Sequence, residues 1–440
     1  MEIKQFFDTA LAHASYAVVD NGEVAVIDPA RDPQPYYDFA EEHGAKIRYV
    51  LETHPHADFV SSHLQIHEET GATILINELV GVSYPHQAFN HEDRVSIGNV
   101  TLEALHTPGH SPDSNSYLLL DSEGHQKALF TGDFLFIGDV GRPDLREKAG
   151  NIQEAREDLA RDMYHSIHTI LPNLSDEVII YPTHGAGSLC GKNLSDKLSE
   201  TLGNQRKTNW ALQEMPEKEF IETLLSEQPY IPKYFAASVE TNRLGAPNLE
   251  HSLEAIPFLA SLEDIEDTSH LIVTLRSFSH TRDYTFLTLP AGPKDKFETW
   301  LGTILAPDEA FYLAVSSIEE ARMILNRIAK IGYEKNVIGV LVLDESAFTV
   351  RSPLDSHDFS DAFVLDVREK TEHETGKFFD HAVNIPLSQL RERVAELPTG
   401  KPVAVHCAGG YRSQVAASII NSYRPELEVI DIGESIDLFK

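Results

Sequence analysis

Two groups of residues in this 440-residue chain have the types and spacing that chemistry needs. Thr53-His54-Pro55-His56-Ala57-Asp58 runs directly out of the apolar stretch Ile47–Leu51. Two imidazoles two residues apart can converge on one cation once the chain leaves extended geometry, and a carboxylate stands two residues further on. Thr107-Pro108-Gly109-His110, Thr131-Gly132-Asp133 and Pro182-Thr183-His184-Gly185 repeat the device: an apolar run ends in a turn that carries an imidazole or a carboxylate. Several strand ends bringing His and Asp to one sheet edge is how a metal site is built on a sheet. Any one of these histidines is explained as a surface or core residue, but the whole set is not.

The second group is His406-Cys407-Ala408-Gly409-Gly410-Tyr411-Arg412-Ser413, between the strand pattern Pro402–Val405 and a helix pattern. A thiol there faces backbone N–H groups, a helix N-terminus and Arg412, all of which favour thiolate. The glycines let the backbone close around the sulfur. A thiolate so held can take a sulfane sulfur and pass it on, with Arg412 and the amides of Ala408, Gly409, Gly410 and Tyr411 meeting the anions. A small apolar core cysteine explains neither the glycines nor the arginine. The other cysteine, Cys190, is tied to His184 by a Gly/Ser loop that continues to Lys192. Cys190 either contacts, gates or carries a substrate at the histidine edge, or is a buried inert thiol. Lys192 is placed to lower its pKa.

The surrounding elements must position these groups. Asn21-Gly22 between two apolar runs predicts a hairpin. A helix near Pro35–Gly44 and a strand Ile47–Leu51 follow, and this alternation to about residue 200 predicts a layered α/β domain. The polar stretch Gln228–Pro247 reads as a connection. Beyond it the chain resembles itself at an offset of 92: Val337–Val340 matches Val429–Ile432, Arg276 matches Arg368, and Ala321–Ile331 matches Ser413–Tyr423. Such a period implies two copies of one small α/β domain.

Composition bounds the function. Acids number 69 and bases 36, a net charge of −33, which excludes nucleic acid and anionic membrane as default partners. Two cysteines exclude a disulfide framework and a Cys-rich zinc site. No apolar run reaches the ~18 residues that span a bilayer. Met1–Tyr16 lacks a basic region followed by an apolar core, so a cytoplasmic protein is expected. At ~100–200 residues per domain the length suits two to four domains.

The order HxHxD…H…D…H over the first 240 or so residues resembles the metallo-β-lactamase superfamily, whose fold is an αββα sandwich. In its binuclear hydrolases the motif reads HxHxDH. The last histidine, which serves the second metal, is Phe59 here, and a phenyl ring cannot coordinate a cation. One metal is therefore expected. A mononuclear site resembles the persulfide dioxygenase branch, as does the tract Gly132–Asp144. That resemblance implies one Fe(II) per chain on His54, His110 and Asp133, with His56, Asp58 and His184 around the ligands. Arg142 and Lys192 are candidate cations for an anionic substrate.

The loop C-x-x-G-x-R, with Leu365-Asp366-Val367-Arg368-Glu369 and Val383-Asn384-Ile385-Pro386, resembles the rhodanese active site. Four residues separate Cys407 from Arg412, as in rhodaneses, where phosphatase-type loops have five. In the earlier copy Val315 and Glu320 stand at these two positions, which implies an inert rhodanese-like domain. The expected organisation is a dioxygenase domain at 1–247, an inert rhodanese-like domain at 251–346 and an active one at 352–440. Such a fusion implies oxidation of a low-molecular-weight thiol persulfide by O₂ to sulfite. Cys407 then passes a sulfane sulfur to sulfite, giving thiosulfate. The rival is a zinc thioester hydrolase of the glyoxalase II kind fused to a rhodanese sulfur carrier. A non-enzymatic sulfur relay or persulfide sensor is a third reading. The sequence leaves homo-oligomerisation and the identity of the thiol open.

Overall fold

The structure is a computed structural model that describes residues 1–147, 156–265, 267, 269–277, 284–348, 359 and 361–439. The chain divides into two compact units, Met1–Ser252 with Ile328–Gly332, and Leu253–Arg327 with Tyr333–Lys440. Among the described residues no helix is long and apolar enough to cross a membrane.

The first unit holds two six-stranded sheets. One runs in chain order: β1 (Glu2–Asp8), β2 (His13–Asp20), β3 (Glu23–Ile27), β4 (Lys46–Leu51), β5 (Thr73–Ile76) and β6 (Gln87–Ala88). Asn21 and Gly22 join β2 to β3 with φ of 44° and 81°, the pair of positive values that a two-residue hairpin turn of matching twist requires. The other sheet consists of β7 (Arg94–Ile97), β8 (Val100–His106), β9 (Asn115–Leu120), β10 (Gln126–Gly132), β11 (Ile179–Pro182) and β12 (Glu200–Thr201), also in sequential order.

Val18, Ile27, Leu51 and Leu75 of the first sheet pack on Leu102, Leu119 and Phe130 of the second. The outer face of the first sheet takes Tyr36 and Phe39 from helix Gln34–Glu42 and Ile66 from helix His63–Thr70. The outer face of the second takes Met163 and Ile167 from helix Arg156–Ile170, and Phe220 and Leu224 from helix Glu217–Leu225. The result is the expected αββα sandwich. Burying both faces of both sheets explains why β2 is buried along all but its last residue.

The stretch 228–247 is not a mere connection. Helix Phe235–Leu244 lies within it, with Phe235, Ser238, Val239 and Asn242 buried. Asn242 Oδ1 accepts from the Ser61 amide at 2.8 Å, and its Nδ2 donates to the His56 and Phe59 carbonyls at 2.9 and 2.8 Å. Tyr234 Oη donates to the Asp58 carbonyl at 3.1 Å. The helix therefore clasps the histidine loop from outside. Its partners lie more than 170 residues away in sequence, so no local pattern announces them.

The second unit holds two parallel sheets. One has the order β13 (Phe258–Leu259), β17 (Val337–Val342), β16 (Phe311–Val315), β14 (Leu271–Thr274), β15 (Phe286–Thr288). The other has the order β21 (Val429–Asp431), β20 (Val403–His406), β18 (Phe363–Asp366), β19 (Val383–Asn384). Leu271 faces Phe311 and Phe363 faces Val403; Phe311 faces Val337 and Val403 faces Val429. The first register repeats along its length at the offset of 92 seen in the sequence, whereas the second repeats only at its first pair, because a register shift after Phe311 pairs Tyr312 with Gly339 while Ala404 pairs with Ile430. Residue 352, the expected start of the last domain, lies outside the described residues.

Asn242→Ala removes three buried hydrogen bonds and leaves two carbonyls and one amide without their partner. It is expected to cost about 2–4 kcal/mol and to lower the denaturant midpoint of the first unit in an equilibrium unfolding curve.

Candidate metal centre and cysteine loop

Five apolar strands end at one edge of the sandwich, and each end delivers a polar residue. β3 delivers Asp28, β4 the loop Thr53–Asp58, β8 the turn to His110, β10 Asp133 and β11 His184. His54 Nε2 and His110 Nε2 lie 4.0 and 3.6 Å from Asp133 Oδ2, while His184 Nε2 lies 3.5 Å from Asp133 Oδ1 and 3.4 Å from Asp58 Oδ2. Every one of these side chains is buried. One donor atom from each of His54, His110 and Asp133 falls within a sphere of mutual distances no longer than 4.8 Å.

Hydrogen bonds fix how the imidazoles present themselves. His110 Nδ1 lies 2.8 Å from the Arg142 carbonyl, which only accepts, so Nδ1 carries the hydrogen and Nε2 faces inward with its lone pair. Thr53 Oγ1 donates to the Asp28 carboxylate, so it accepts from His54 Nδ1 at 3.1 Å, and His54 Nε2 is likewise turned inward. Both oxygens of Asp133, one oxygen of Asp58 and Nε2 of His184 are buried without a hydrogen-bond partner. Buried polar atoms left unsatisfied are rare, and a cluster of them around imidazole and carboxylate donors fits a divalent cation. Burial lowers the His184 pKa, but the Asp58 and Asp133 carboxylates outweigh it and hold it well above the usual imidazole range.

Glycine is required at two places around Asp133. A Cβ on Gly132, whose φ is +54°, would meet Thr53 Oγ1 at 2.5 Å. One on Gly141 would meet the Asp133 carbonyl oxygen at 1.9 Å.

His56 Nε2 lies 3.0 Å from Asp28 Oδ1 and 3.6 Å from Glu52 Oε2, and His56 also offers one donor atom within 4.8 Å of donors on Asp133 and His184. Phe59 lies between His13 and His56, with ring centroids 3.7 and 4.4 Å away. It fills with hydrocarbon the place where a further imidazole would stand. Burial, with His184 and His56 nearby, holds the His13 pKa down to about 3, so this ring is neutral. His13, Asp28, Glu52 and His63 were missed by sequence reasoning. Asp28 ends the apolar run Val24–Ile27 and obeys the same strand-end rule as Asp133, so that signal was present.

Cys190 lies at the histidine edge, while Lys192 and Arg142 turn to partners within the chain. Cys190 sits grouped with Asp58 and His184, and burial together with the Asp58 and Asp133 carboxylates pushes its thiol up to about 12. Lys192 does not lower it: its Nζ turns away and donates to the carbonyls of Thr223, at 2.9 Å, and Ser226. Arg142 is buried, doubly bonded to Asp144 at 2.6 Å and to the Leu189 carbonyl at 3.1 Å. Its charge is matched inside the protein, and it serves to hold His110 through its own carbonyl.

At the end of β20 the Cys407 thiol is 1% exposed, and the Gly410 amide donates to its sulfur at 3.1 Å. Gly410 has φ +96° and caps helix Tyr411–Tyr423. Gly409 is exposed and forms the mouth of the loop. Arg412 is engaged by the Glu372 carboxylate through both terminal nitrogens, at 2.6 and 2.8 Å. The Tyr411 phenol donates to the Pro290 carbonyl at 3.1 Å. Arg368 is buried against Asp366 and stacks on Phe378, bracing the sheet. At the corresponding turn after β16, the Glu320 carboxylate accepts from Ser316 N and Oγ, at 2.7 and 2.8 Å, and pairs with Arg276 at 2.8 Å.

Residues 8–184 match the Metallo-beta-lactamase superfamily, and residues 349–433 match the Rhodanese-like domain. The cytoplasmic hydroxyacylglutathione hydrolase of Arabidopsis thaliana is 30% identical over 249 residues, 54% of this chain and 87% of that protein. The chain belongs to the metallo-β-lactamase superfamily. The human mitochondrial persulfide dioxygenase ETHE1 is also 30% identical, over 189 residues, 41% of this chain and 67% of that protein. A metallo-beta-lactamase structure from Staphylococcus aureus aligns with TM-score 0.66 at 32% identity, covering 78% of this chain and 98% of that one. Proteins of this fold bind metal, and the donor set above fits one.

The cysteine loop has its own acid limit. Burial lowers the His406 pKa to about 4, so the folded protein keeps this imidazole neutral while the unfolded chain protonates it near 6.5. The stability it contributes is complete above pH 6.5 and is lost as pH falls toward 4, up to about 3 kcal/mol. His406→Gln is expected to flatten urea-denaturation stability of the second unit between pH 6.5 and 4. An unchanged acid slope would exclude His406 as its source.

Proposed function

We propose that this protein is a non-haem iron persulfide dioxygenase coupled to a thiosulfate-forming sulfurtransferase. The observation that carries this reading is a donor set of two imidazoles and one carboxylate, flanked by Phe59, in the same chain as an amide-capped cysteine loop. The segments 1–247, 251–346 and 352–440 act as dioxygenase, inert rhodanese-like spacer and active rhodanese. His54, His110 and Asp133 would hold a ferrous ion, which when bound would supply activation of a thiol persulfide and O₂.

The chain's own residues prepare that centre. Thr53 and the Arg142 carbonyl hold the Nδ1 hydrogens, which keeps both Nε2 lone pairs turned inward. His56, Asp58 and His184 surround the ligands with buried charge, and Phe59 keeps water from one side. The overall conversion consumes a persulfide, O₂ and water and yields the free thiol, sulfite and protons. The anions need no Arg142 or Lys192, since both cations are bound internally.

In the second unit Cys407 Sγ attacks the outer sulfur of another persulfide. The new S–S bond forms as the old one breaks, and the thiol departs with a proton. Sulfite then attacks that outer sulfur, thiosulfate leaves, and the electron pair returns to Cys407. The Gly410 N–H and the helix N-terminus stabilise the returning thiolate. Sulfite made at one site is the acceptor at the other, which gives the fusion its chemical logic. A cytoplasmic location suits the thiol chemistry.

The second reading, a zinc thioester hydrolase fused to a sulfur carrier, is favoured by one observation. The Arabidopsis hydrolase is as similar as human ETHE1 and aligns over more of the chain. Anaerobically purified, iron-loaded protein is expected to consume O₂ only when glutathione persulfide is added. Thioester hydrolysis without persulfide-dependent O₂ uptake would overturn the proposal in favour of the hydrolase. Cys407→Ser is expected to lower thiosulfate formation by at least about tenfold and to accumulate sulfite while O₂ uptake continues. Thiosulfate formed at the wild-type rate would remove the sulfurtransferase assignment.

A further inference from the structure

Given the sulfurtransferase reading of the cysteine loop, on which this rests, we infer that Glu372 decides which sulfur donor Cys407 accepts. By matching the charge of Arg412 it turns away compact dianions such as thiosulfate and leaves the loop to thiol persulfides.

Ala408, Gly409, Gly410 and Tyr411 carry no charge, so Arg412 is the only cation in the loop sequence. Its Nη1 and Nη2 donate to Glu372 Oε2 and Oε1 at 2.6 and 2.8 Å, a fork that pairs the guanidinium with one carboxylate. Arg412 does not by itself place Glu372. Glu372 is the third residue of helix Lys370–Thr375, and its Oε2 also accepts from the Glu369 amide at 3.0 Å, so a capping box holds the carboxylate where it stands. The two side chains are 18 and 38% exposed, so an incoming donor meets the pair, and Arg412 is near enough to interact with the Cys407 sulfur. More acid surrounds them. Glu369, whose Oε1 accepts from Ser388 Oγ at 3.3 Å, also interacts with the Arg412 charge. On the Gly410 side, a Cβ on that glycine would stand 3.4 Å from Glu434 Cγ.

The two donors differ where this pattern of charge acts. With either one, Cys407 Sγ attacks the outer sulfur, a new S–S bond forms as the old one breaks, and the leaving group keeps the electron pair. A persulfide protonated on its outer sulfur brings no charge to the reacting atoms, and its thiol departs with the proton. Thiosulfate departs as sulfite, and both its negative charges lie beside the sulfur under attack. An unmatched arginine would attract that dianion; an arginine matched by Glu372, with further carboxyls beside it, does not. The same matching lets thiosulfate leave once sulfite has formed it.

The full-length protein is assayed for thiocyanate with cyanide as the common acceptor, glutathione persulfide or thiosulfate as donor, and Cys407→Ser as the blank. Cyanide takes the outer sulfur and returns the electron pair to Cys407, so sulfite plays no part as acceptor. The wild type is expected to show a kcat/KM at least about tenfold higher for the persulfide. Glu372→Gln keeps an acceptor oxygen and removes the charge. It is expected to lower the KM for thiosulfate at least about tenfold with a much smaller change in kcat, a gain that high salt erodes. Glu372→Asp, which retains the charge, is expected to keep the wild-type preference, and Arg412→Gln added to Glu372→Gln is expected to abolish the gain. Equal use of the two donors by the wild type overturns the assignment without any variant. So does a Glu372→Gln protein, folded by circular dichroism, whose donor ratio is that of the wild type or whose kcat falls equally for both donors. No thiocyanate from either donor removes the sulfurtransferase reading and this assignment with it, a result distinct from an unchanged ratio.

Discussion

The Asp28 carboxylate is the interaction on which the histidine edge depends. It accepts from the Thr53 amide at 2.7 Å, from Thr53 Oγ1 at 2.9 Å and from Thr183 Oγ1 at 3.1 Å, and it lies 3.0 Å from His56 Nε2. Those partners sit at the ends of β4 and β11, one strand from each sheet of the sandwich. A single buried charge thus fastens the two sheets together at the edge where the donors gather. Burial opposes ionisation of Asp28, but His56 and the Thr53 donors outweigh it and keep the carboxyl below its ordinary range. The backbone is bent to serve this: Asp28 has φ +50°, a conformation that costs a non-glycine residue of order 1 kcal/mol. Thr53, held in this way, in turn sets which nitrogen of His54 carries hydrogen. The geometry of the first donor set is therefore imposed by the fold and does not await a cation.

The two chemical sites solve opposite electrostatic problems. Around Asp133 the protein buries carboxylates and imidazoles with unpartnered atoms, an arrangement that is costly until a cation arrives. Around Cys407 it offers an anion a backbone amide and a helix N-terminus, while the nearby guanidinium is already engaged by Glu372. Amide dipoles need no counter-ion and survive in a chain of net charge −33, where a free surface cation would be surrounded by acids. The same charge excess explains why Arg142 and Lys192 are committed to internal partners. Reading them as substrate cations overlooked how many acceptors compete for each base.

What the sequence made legible was local and periodic. Strand-end residues His54, His110, Asp133 and His184 could be picked because each closes an apolar run, and the strands place those ends on one edge. The Asn21-Gly22 turn and the offset of 92 belong to the same class of signal, and both recur in the backbone as positive φ values and as matching strand registers. Asn242 and Tyr234 were illegible because their role consists of hydrogen bonds to carbonyls more than 170 residues earlier. Lys192 was misread because proximity in sequence to Cys190 says nothing about the direction of a four-carbon side chain. Its ammonium found three acceptors on the far side.

The turn after β16 meets the same demand with a group from its own chain. A loop that wraps an anion has inward-facing amides, and buried amides without acceptors are expensive. At Glu320, where the later copy has Arg412, the chain supplies its own carboxylate to the Ser316 amide and hydroxyl. Arg276 then neutralises that carboxylate from outside the loop, whereas its counterpart Arg368 is buried on Asp366. An internal carboxylate thus occupies the acceptor position at this turn. The strand pairs on which the two turns sit, β14 with β16 and β18 with β20, keep the same register. Thr288 of the five-stranded sheet and the nearby Pro290 meet Ser418 and Tyr411 on the helix that begins at the cysteine loop.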